Sequence, residues 1–362
     1  MKTPSASAQT VLGPVQSDRL GVVLPHEHIF LDASRAFFRE PSEEQAKTFA
    51  HEPVKIENLW WLRSHRTDSL DNVQLVDYDL ARDEVQLFKN FGGGSIVDAT
   101  VEGLSPNPEM LRKLSVQTGL HIIAATGYYV AQTHAPRVRS LGVEELANQI
   151  KNRIIVGFSD TGIKAGIIKV ALTRKPGTIE INEERVLRAA SIVQRETGAP
   201  LSIHPPRMLD HEHARSWWAI ELINLLRDNG VDLNKVVFCH MDTTIFEEPE
   251  NIRRIAESGS YIEFDAWGAE WPYGIDDYGE TGPFPSDHER IVIVKELVKN
   301  GCLHRLLFSH DIFIKLLLTK YGGYGYAHIL RDIVPCLLRE GLTREEINTI
   351  LVKNPQRLLA FE

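Results

Sequence analysis

The chain has 362 residues, a formal net charge of −9 at pH 7 and 43% hydrophobic residues, which are ordinary values for a globular enzyme. The negative charge argues against nucleic acid or an anionic membrane as a partner, because both would require a basic surface. Three cysteines without Cys-x-x-Cys spacing, no membrane-length apolar run and no apolar signal-peptide core in residues 1–15 predict a cytoplasmic protein.

Short apolar runs alternate with amphipathic stretches along the chain. The runs predict strands at 22–30, 95–100, 121–129, 165–172, 200–206, 236–242, 261–267 and 305–312. The stretches predict helices at 79–91, 107–118, 143–157, 181–197, 213–229, 248–258, 286–300 and 327–340. Eight alternations of strand and helix predict an α/β fold, a (β/α)8 TIM barrel that spans residues 1–362 as a single domain. An open doubly wound sheet is the alternative.

Three segments interrupt this rhythm. Residues 8–24 predict a small N-terminal hairpin that seals the bottom of the barrel. Residues 31–78 form a cover loop after strand one, and residues 268–285 form a lid loop after strand seven. Loops of this length in a compact domain are usually functional or disordered. Their aromatic residues favour ordered covers. A largely apolar substrate pocket would be shaped by Trp267, just before the lid loop, and by Trp271, Tyr273 and Phe284 within it, although plain packing explains these residues equally well.

Several predicted strands end at residues that could bind metal ions. His26 and His28 are two residues apart and follow the apolar residues 22–24 of strand one, so both side chains share one face and can bind one ion. His204 and His240 end strands five and six and would supply a second ion. Asp311 follows strand eight, where it could bind metal and act as the general base. Each residue alone has a structural explanation, but strand ends are where a TIM barrel builds its active site.

Lys169 ends the fourth strand and is the least expected member of this group. Its ammonium group has three donors and no acceptor, so it cannot bind a cation. If CO₂ adds to the amine, the resulting carbamate is an anion whose two oxygens could bridge two metals. A buried lysine paired with a carboxylate is the alternative, and the four histidines favour the carbamate.

The ordered set of His26, His28, Lys169, His204, His240 and Asp311 resembles the phosphotriesterase family of the amidohydrolase superfamily, over essentially the whole chain. Other segments resemble its phosphotriesterase-related, or resiniferatoxin-binding-like, branch: Gln9-Thr10-Val11-Leu12-Gly13, Phe91-Gly92-Gly93-Gly94, Gly127-Tyr128-Tyr129 and Lys320-Tyr321-Gly322-Gly323-Tyr324-Gly325-Tyr326.

The resemblance implies that Lys169 is N6-carboxylysine and bridges two divalent ions. It places His26, His28 and Asp311 on the buried ion, and His204 and His240 on the exposed one. Zinc is the expected metal, with cobalt, manganese or iron as alternatives. A homodimer is also expected by resemblance.

The chain departs in three ways from known members of the family. Many members of the branch bridge their metals with a glutamate, whereas this chain has Lys169, as the phosphotriesterases and lactonases do. The lactonases have an arginine after strand seven, in a Leu-Asp-Arg-Tyr-Gly segment, and the phosphotriesterases have a proton-shuttling histidine nearby. Both are absent from Phe264-Asp265-Ala266-Trp267-Gly268. Tyr129 stands where the lactonases keep a tyrosine near the bridging solvent.

Together these residues predict a binuclear metal-dependent hydrolase acting on a small molecule with an apolar part. A metal-bridging hydroxide would attack a lactone or carboxylic ester carbonyl. Asp311 would carry the proton to the leaving group, and Tyr129 would stabilise the developing oxyanion. An N-acyl amide hydrolase, with His310 as a possible second acid, and a phosphotriesterase are alternatives. A non-catalytic ligand-binding protein is the alternative of a different class.

Overall fold

The main sheet contains eight parallel strands, numbered here in chain order. A computed structural model describes residues 6–175, 178–206, 215–244, 249–270, 274–275, 281–282 and 284–361. Each strand pairs with its neighbours along the chain. The strands are β1 (Val22–Glu27), β2 (Gly93–Asp98), β3 (His121–Tyr128), β4 (Ile167–Ala171), β5 (Leu201–His204), β6 (Val236–Phe238), β7 (Tyr261–Phe264) and β8 (Leu306–Phe308).

Hydrogen bonds just beyond β8 join the last strand to the first. The Ser309 hydroxyl accepts from the His26 amide at 3.0 Å and donates to the His26 carbonyl at 2.7 Å. The Asp311 amide donates to the same carbonyl at 3.2 Å. The sheet therefore curls into a nearly closed barrel. The predicted TIM barrel is confirmed, and the open doubly wound sheet is wrong.

Helices fill the connections between the strands, and most begin and end within two residues of the predicted bounds. In α5, for example, the Asn107 side chain accepts from the Met110 amide, and Gly119 ends the helix at a φ of 68°. Within the described ranges no helix is long and apolar enough to span a membrane. The α-helices are α1 (Ser34–Phe37), α2 (Glu44–His51), α3 (Leu59–Leu62), α4 (Tyr78–Asn90), α5 (Pro108–Thr118), α6 (Pro136–Ser140), α7 (Val143–Ile155), α8 (Ile181–Thr197), α9 (Arg215–Asp228), α10 (Pro249–Glu257), α11 (Asp287–Lys299), α12 (Val334–Arg339), α13 (Arg344–Asn348) and α14 (Asn354–Leu359).

The N-terminal hairpin pairs Ser7–Thr10 with Gly13–Gln16. The Val11 amide at its turn donates to the Ile122 carbonyl at 2.8 Å, at the start of β3. The hairpin therefore lies at the end of the barrel opposite the strand carboxyl ends. Its second arm is shorter than predicted, because residues 17–24 lead into β1 and begin that strand.

The two long loops have some regular structure of their own. In the cover loop, Leu31–Asp32 pairs with Gln74–Leu75, and α1, α2 and α3 lie between these short strands. A small separate core of Ala50, Val54, Trp61 and Leu62 stabilises it. In the lid loop, Gly274–Ile275 pairs with Thr281–Gly282. The predicted pocket residues Trp271 and Tyr273 lie outside the described residues.

Candidate metal centre

The ends of β1 and β8 bring His26, His28 and Asp311 together. Potential ligand atoms of the three side chains lie within 4.8 Å of one another. The Asp311 Oδ1 atom is 3.4 Å from His28 Nε2 and 3.6 Å from His26 Nε2. Both imidazoles are buried. Two imidazoles and a carboxylate form a ligand set that suits a divalent transition metal.

His204 and His240 form a second group on the adjoining strands. The Nδ1 atom of His204 faces the Nε2 atom of His240 at 2.8 Å, and both side chains are buried. His240 has a φ of 59°, and Asp311 has a φ of 51°. Non-glycine residues rarely adopt this left-handed conformation, and such residues are often found at active sites.

Lys169 contacts a ligand of the first group and the residue that precedes His240 in the second. Its Nζ atom is 3.3 Å from His26 Nε2, 3.3 Å from Ser202 Oγ and 2.9 Å from Cys239 Sγ. Among the described residues no carboxylate forms an ion pair with it, so the alternative of a lysine–carboxylate pair is not supported. The neighbouring strand β3 approaches closely because residue 127 is glycine. A Cβ atom at Gly127 would lie 1.9 Å from the Lys169 carbonyl oxygen.

Two acidic residues at the end of β7 orient the histidines from behind. Asp265 places Oδ2 at 2.8 Å from His26 Nδ1 and Oδ1 at 2.8 Å from His240 Nδ1. The Oε2 atom of Glu263 is 3.1 Å from the same His26 nitrogen. Burial alone would raise the pKa of Asp265, but His240 and His26 hold it well below its usual range. The Nδ1 atoms are thereby occupied, which leaves the Nε2 atoms for metal binding.

Sequence reasoning missed these two acids. Glu263 and Asp265 are two residues apart at the end of an apolar run, and a period of two directs both side chains to one face of the sheet. That spacing could have indicated that both acids face the metal site. The partner of His28 could not have been recognised in this way. The His28 Nδ1 atom is 2.8 Å from the hydroxyl of Thr100, beyond the end of β2.

Glu27 holds the turn that carries Asp311. Its buried carboxylate accepts from the Ser309 hydroxyl and the His310 amide at 2.8 Å, and from the Ile312 amide at 3.0 Å. Glu27 therefore lies between two ligand histidines in sequence and fixes the backbone on both sides of the third ligand.

His310 does not face the metal site. Its Nδ1 atom is 2.8 Å from the Glu27 carboxylate, and its Nε2 atom accepts from the Ile329 amide at 3.2 Å. Both ring nitrogens are therefore used within the structure, and the expectation that His310 could act as a second acid is wrong.

Asp311 is ionised at neutral pH. Burial favours its neutral form, but the imidazoles of His26, His28 and His240 lower its pKa to about 2. A carboxylate in this state can bind a cation or accept a proton.

Of the two other predicted site residues that the structure describes, Tyr129 lies beside the metal centre and Trp267 lies in the core. The Tyr129 ring lies 6.2 Å from the His204 ring, edge to face, which places it beside the centre. Trp267 is 1% exposed, and its ring lies 5.0 Å from that of Phe308 in the core. Such burial is typical of a residue that packs in the core. The predicted role of Trp267 in the substrate pocket therefore stays a prediction.

The donor set fits two divalent ions. One group offers two imidazoles and a carboxylate, the other offers two imidazoles, and hydrogen bonds from behind fix the orientations of His26, His28 and His240. Lys169 would contribute only after its conversion to an anion.

Comparisons with known proteins agree with this geometry. The model of the phosphotriesterase family matches residues 6–359. An N-acetyltaurine hydrolase from Xenopus tropicalis is 35% identical over 100% of both chains, and a phosphotriesterase-related protein from Nematostella vectensis is 37% identical over 99% of both. The crystal structure of a resiniferatoxin-binding protein from Rhodobacter sphaeroides superposes with a TM-score of 0.89 at 33% identity, covering 98% of this chain and 95% of that one. The protein is a metal-dependent hydrolase, and its chain belongs to the phosphotriesterase family.

Proposed function

We propose that this protein hydrolyses the amide bond of a small N-acyl compound whose amine part carries an anionic group, as taurine does. The observation that carries the metal-dependent chemistry is the presence of two donor groups, with Lys169 in contact with His26 in one and with Cys239, which precedes His240 of the other. The substrate class is supported by the full-length similarity to proteins named N-acetyltaurine hydrolases, at 35% identity for the human and the Xenopus tropicalis proteins.

The metal ligands follow from the two groups of donors. His26, His28 and Asp311 would hold one ion, and His204 and His240 would hold the other. Lys169, as N6-carboxylysine, would be shared between them. Zinc suits these nitrogen and oxygen donors, and cobalt, manganese or iron would also be accepted. Two such ions would polarise the acyl carbonyl and lower the pKa of a water molecule for attack.

Asp311 would move the proton in this reaction. It is a carboxylate at neutral pH because His26, His28 and His240 stabilise its charge, so it can accept a proton from the attacking water. The amide nitrogen must be protonated before it leaves as an amine. With His310 bonded to Glu27, Asp311 is the acid that we assign to this step among the described residues.

Tyr129 would face the developing negative charge on the carbonyl oxygen. Its ring stands against His204, on the exposed side of the centre. A single well-placed donor of this kind contributes about 10²–10³ in rate in other hydrolases. Tyr129 is also the observation that favours a second candidate, the lactone or carboxylic ester substrate predicted from the sequence, because the lactonases that the chain resembles keep a tyrosine there.

Metal analysis coupled to a substrate panel tests this function. Protein grown with zinc, cobalt or manganese would be assayed with N-acetyltaurine, a lactone, an aryl ester and a phosphotriester. We expect about two ions per chain and the highest kcat/KM with the N-acyl amide. A higher kcat/KM for the lactone or ester would select the second candidate. The absence of both metal and turnover would overturn the hydrolase account in favour of a binding protein.

Asp311→Asn separates catalysis from binding. The amide oxygen of asparagine can still bind metal, but the group cannot accept and return a proton. We expect most of the bound metal to remain while kcat falls at least about 100-fold, as for the loss of a positioned general acid–base. A kcat near that of the wild type would remove Asp311 from the proton-transfer role.

A further inference from the structure

Three aromatic side chains form a continuous wall beside the metal centre. Phe37, in the cover loop, lies between the other two: its ring centroid is 6.0 Å from that of Tyr129 and 5.5 Å from that of Phe313. We refer to Phe37, Tyr129 and Phe313 as the aromatic wall. At one end of the wall, the Tyr129 ring contacts the His204 ring. At the other end is Phe313, which follows Asp311 by two positions in the sequence. The wall therefore adjoins the exposed group of metal ligands through Tyr129.

Phe37 is held in place by its backbone. It ends the short helix α1, and its amide donates to the Ala33 carbonyl at 2.9 Å. The preceding carbonyl, that of Ala36, accepts from the Gln132 side chain at 2.7 Å, which ties α1 to the loop that follows Tyr129. Phe37 and Tyr129 are each 7% exposed. The backbone that carries the Phe37 ring is therefore fixed, and the ring is packed among its neighbours, so a larger ligand would have to displace packed side chains.

The chemistry of the proposed substrate decides which part faces this wall. The carbonyl carbon carries an uncharged acyl group on one side and an anionic amine on the other. Tyr129, whose hydroxyl is a donor, is already assigned to the carbonyl oxygen. Phe37 and Phe313, the rest of the wall, have no group that could pair with an anion, and burial of an unpaired charge is strongly unfavourable. An apolar acyl group has no such penalty and gains from contact with aromatic rings. The acyl side is therefore the one that fits against the wall.

We infer that Phe37 is a specificity-determining residue that limits the substrate to short acyl groups. This inference rests on the proposed amide hydrolysis and adds the acyl half of the substrate to it. A methylene group that fits poorly in an apolar pocket changes kcat/KM by roughly 10- to 200-fold. We therefore expect acetyl to be preferred over butyryl, and butyryl over hexanoyl, when the amine is the same.

The test is an acyl-length series on Phe37 variants. Acetyl, butyryl and hexanoyl amides of taurine would be assayed, together with the p-nitrophenyl esters of the same three acids. In Phe37→Ala, the hexanoyl-to-acetyl ratio of kcat/KM should rise by about 10-fold or more, with a smaller rise in Phe37→Leu. The matched control is Phe38→Ala. Phe38 is the next residue, and its ring lies 5.9 Å from that of His51 within the cover loop. In Phe38→Ala, the hexanoyl-to-acetyl ratio of kcat/KM should stay within about two-fold of the wild-type ratio.

The outcomes separate this inference from the proposed function. Cleavage of esters but of no amide would overturn the amide function, and the acyl ratio measured on esters would still decide the role of Phe37. Ratios in Phe37→Ala and Phe37→Leu that match the wild type on every cleaved series would overturn the inference. If Phe37→Ala fails to fold, Phe37→Leu decides, and a melting temperature measured for each variant identifies that case.

Discussion

The two halves of the metal centre differ in how their ligands are oriented. In the buried half, His26 contacts Asp265 and Glu263, His28 contacts Thr100, and a turn held by Glu27 carries Asp311. In the exposed half, Asp265 is the partner that fixes His240.

Asp265 therefore serves both halves, whereas the other partners serve only the buried one. Several separate contacts therefore hold the buried half, and Asp265 links its ligand His26 to His240 in the exposed half. Removing shared and unshared partners should distinguish these two situations.

The largest effect is expected for Asp265→Asn. An asparagine offers one acceptor oxygen, so one of the two imidazoles would lose its acceptor, and the negative charge would be lost from both. Loss of such a partner typically costs 10- to 100-fold in metal affinity or activity. We expect a decrease in kcat/KM of at least about 100-fold and weaker binding of both ions in a chelator titration.

Glu263→Gln is the matched comparison for Asp265→Asn. Asp265 contacts both His26 and His240, whereas the contact of Glu263 is with His26. It should weaken the buried ion and leave the exposed ion nearly unchanged. Equal weakening of both ions by the two variants would contradict the distinction between a shared and an unshared partner.

A smaller effect, confined to the buried half, is expected for Thr100→Val. The substitution removes the hydroxyl that accepts or donates at His28 Nδ1 while keeping the branched shape. We expect about a 10-fold loss of affinity for one ion of the two, at the lower end of the range for such partners. A chromogenic chelator would follow the release of the two ions. It would show whether Thr100→Val makes the release of one ion easier or the release of both.

Thr126→Val is the control for that variant. Thr126 is also buried, but its hydroxyl has no hydrogen-bond partner among the described residues. Removing it should leave metal affinity unchanged. If Thr126→Val lowers the affinity as much as Thr100→Val does, the contact to His28 is not the cause.

The smallest effect on the centre is expected for Glu183→Gln, which acts outside both halves. Its buried carboxylate accepts from the Ala131 amide at 2.7 Å and from the Thr173 hydroxyl at 2.8 Å, joining the loops that follow β3 and β4. Burial raises the pKa of Glu183 from 4.5 to about 7. The unfolded chain therefore loses this proton at a lower pH than the folded chain does.

The sign of the pH dependence follows. Between pH 4.5 and about 7 the folded state binds more protons at Glu183, so this group lowers the free energy of unfolding as the pH rises. The contribution is at most roughly 3 kcal/mol. Urea unfolding at both ends of this range should show a smaller decrease in Glu183→Gln than in the wild type. An equal decrease in the wild type and in Glu183→Gln would contradict the assignment of this pH dependence to Glu183. Glu184→Gln, on the more exposed side of α8, is the control and should behave as the wild type does.

Much of the fold was predictable because each strand is a short apolar run and each helix has a clear period and stop. The ligands were predictable for the same reason: His26, Lys169 and His240 follow such runs directly. What could not be read from the sequence is how side chains distant along the chain meet. Residue 265 is 239 positions from His26, and no local pattern indicates that its carboxylate bridges two histidines.

Two expectations differ from the structure, each for its own reason. His310 precedes Asp311 and was expected at the centre, but consecutive residues in this turn point in different directions, and Glu27 binds its ring. The hairpin was predicted to extend to residue 24 because Leu20-Gly21-Val22 was included in it. In the structure residues 17–24 lead into β1.

The central claim is that Lys169 becomes an anion that joins two metal ions, and it can be measured directly. Metal-free protein would be reconstituted with zinc in 13C-labelled bicarbonate and examined by 13C NMR, alongside Lys169→Ala. We predict a carbamate carbonyl signal in the wild type with about two ions per chain, and in the variant no such signal, fewer bound ions and no turnover. A variant that keeps two ions and full turnover, or a wild-type protein that binds two ions without a carbamate signal, would contradict the account.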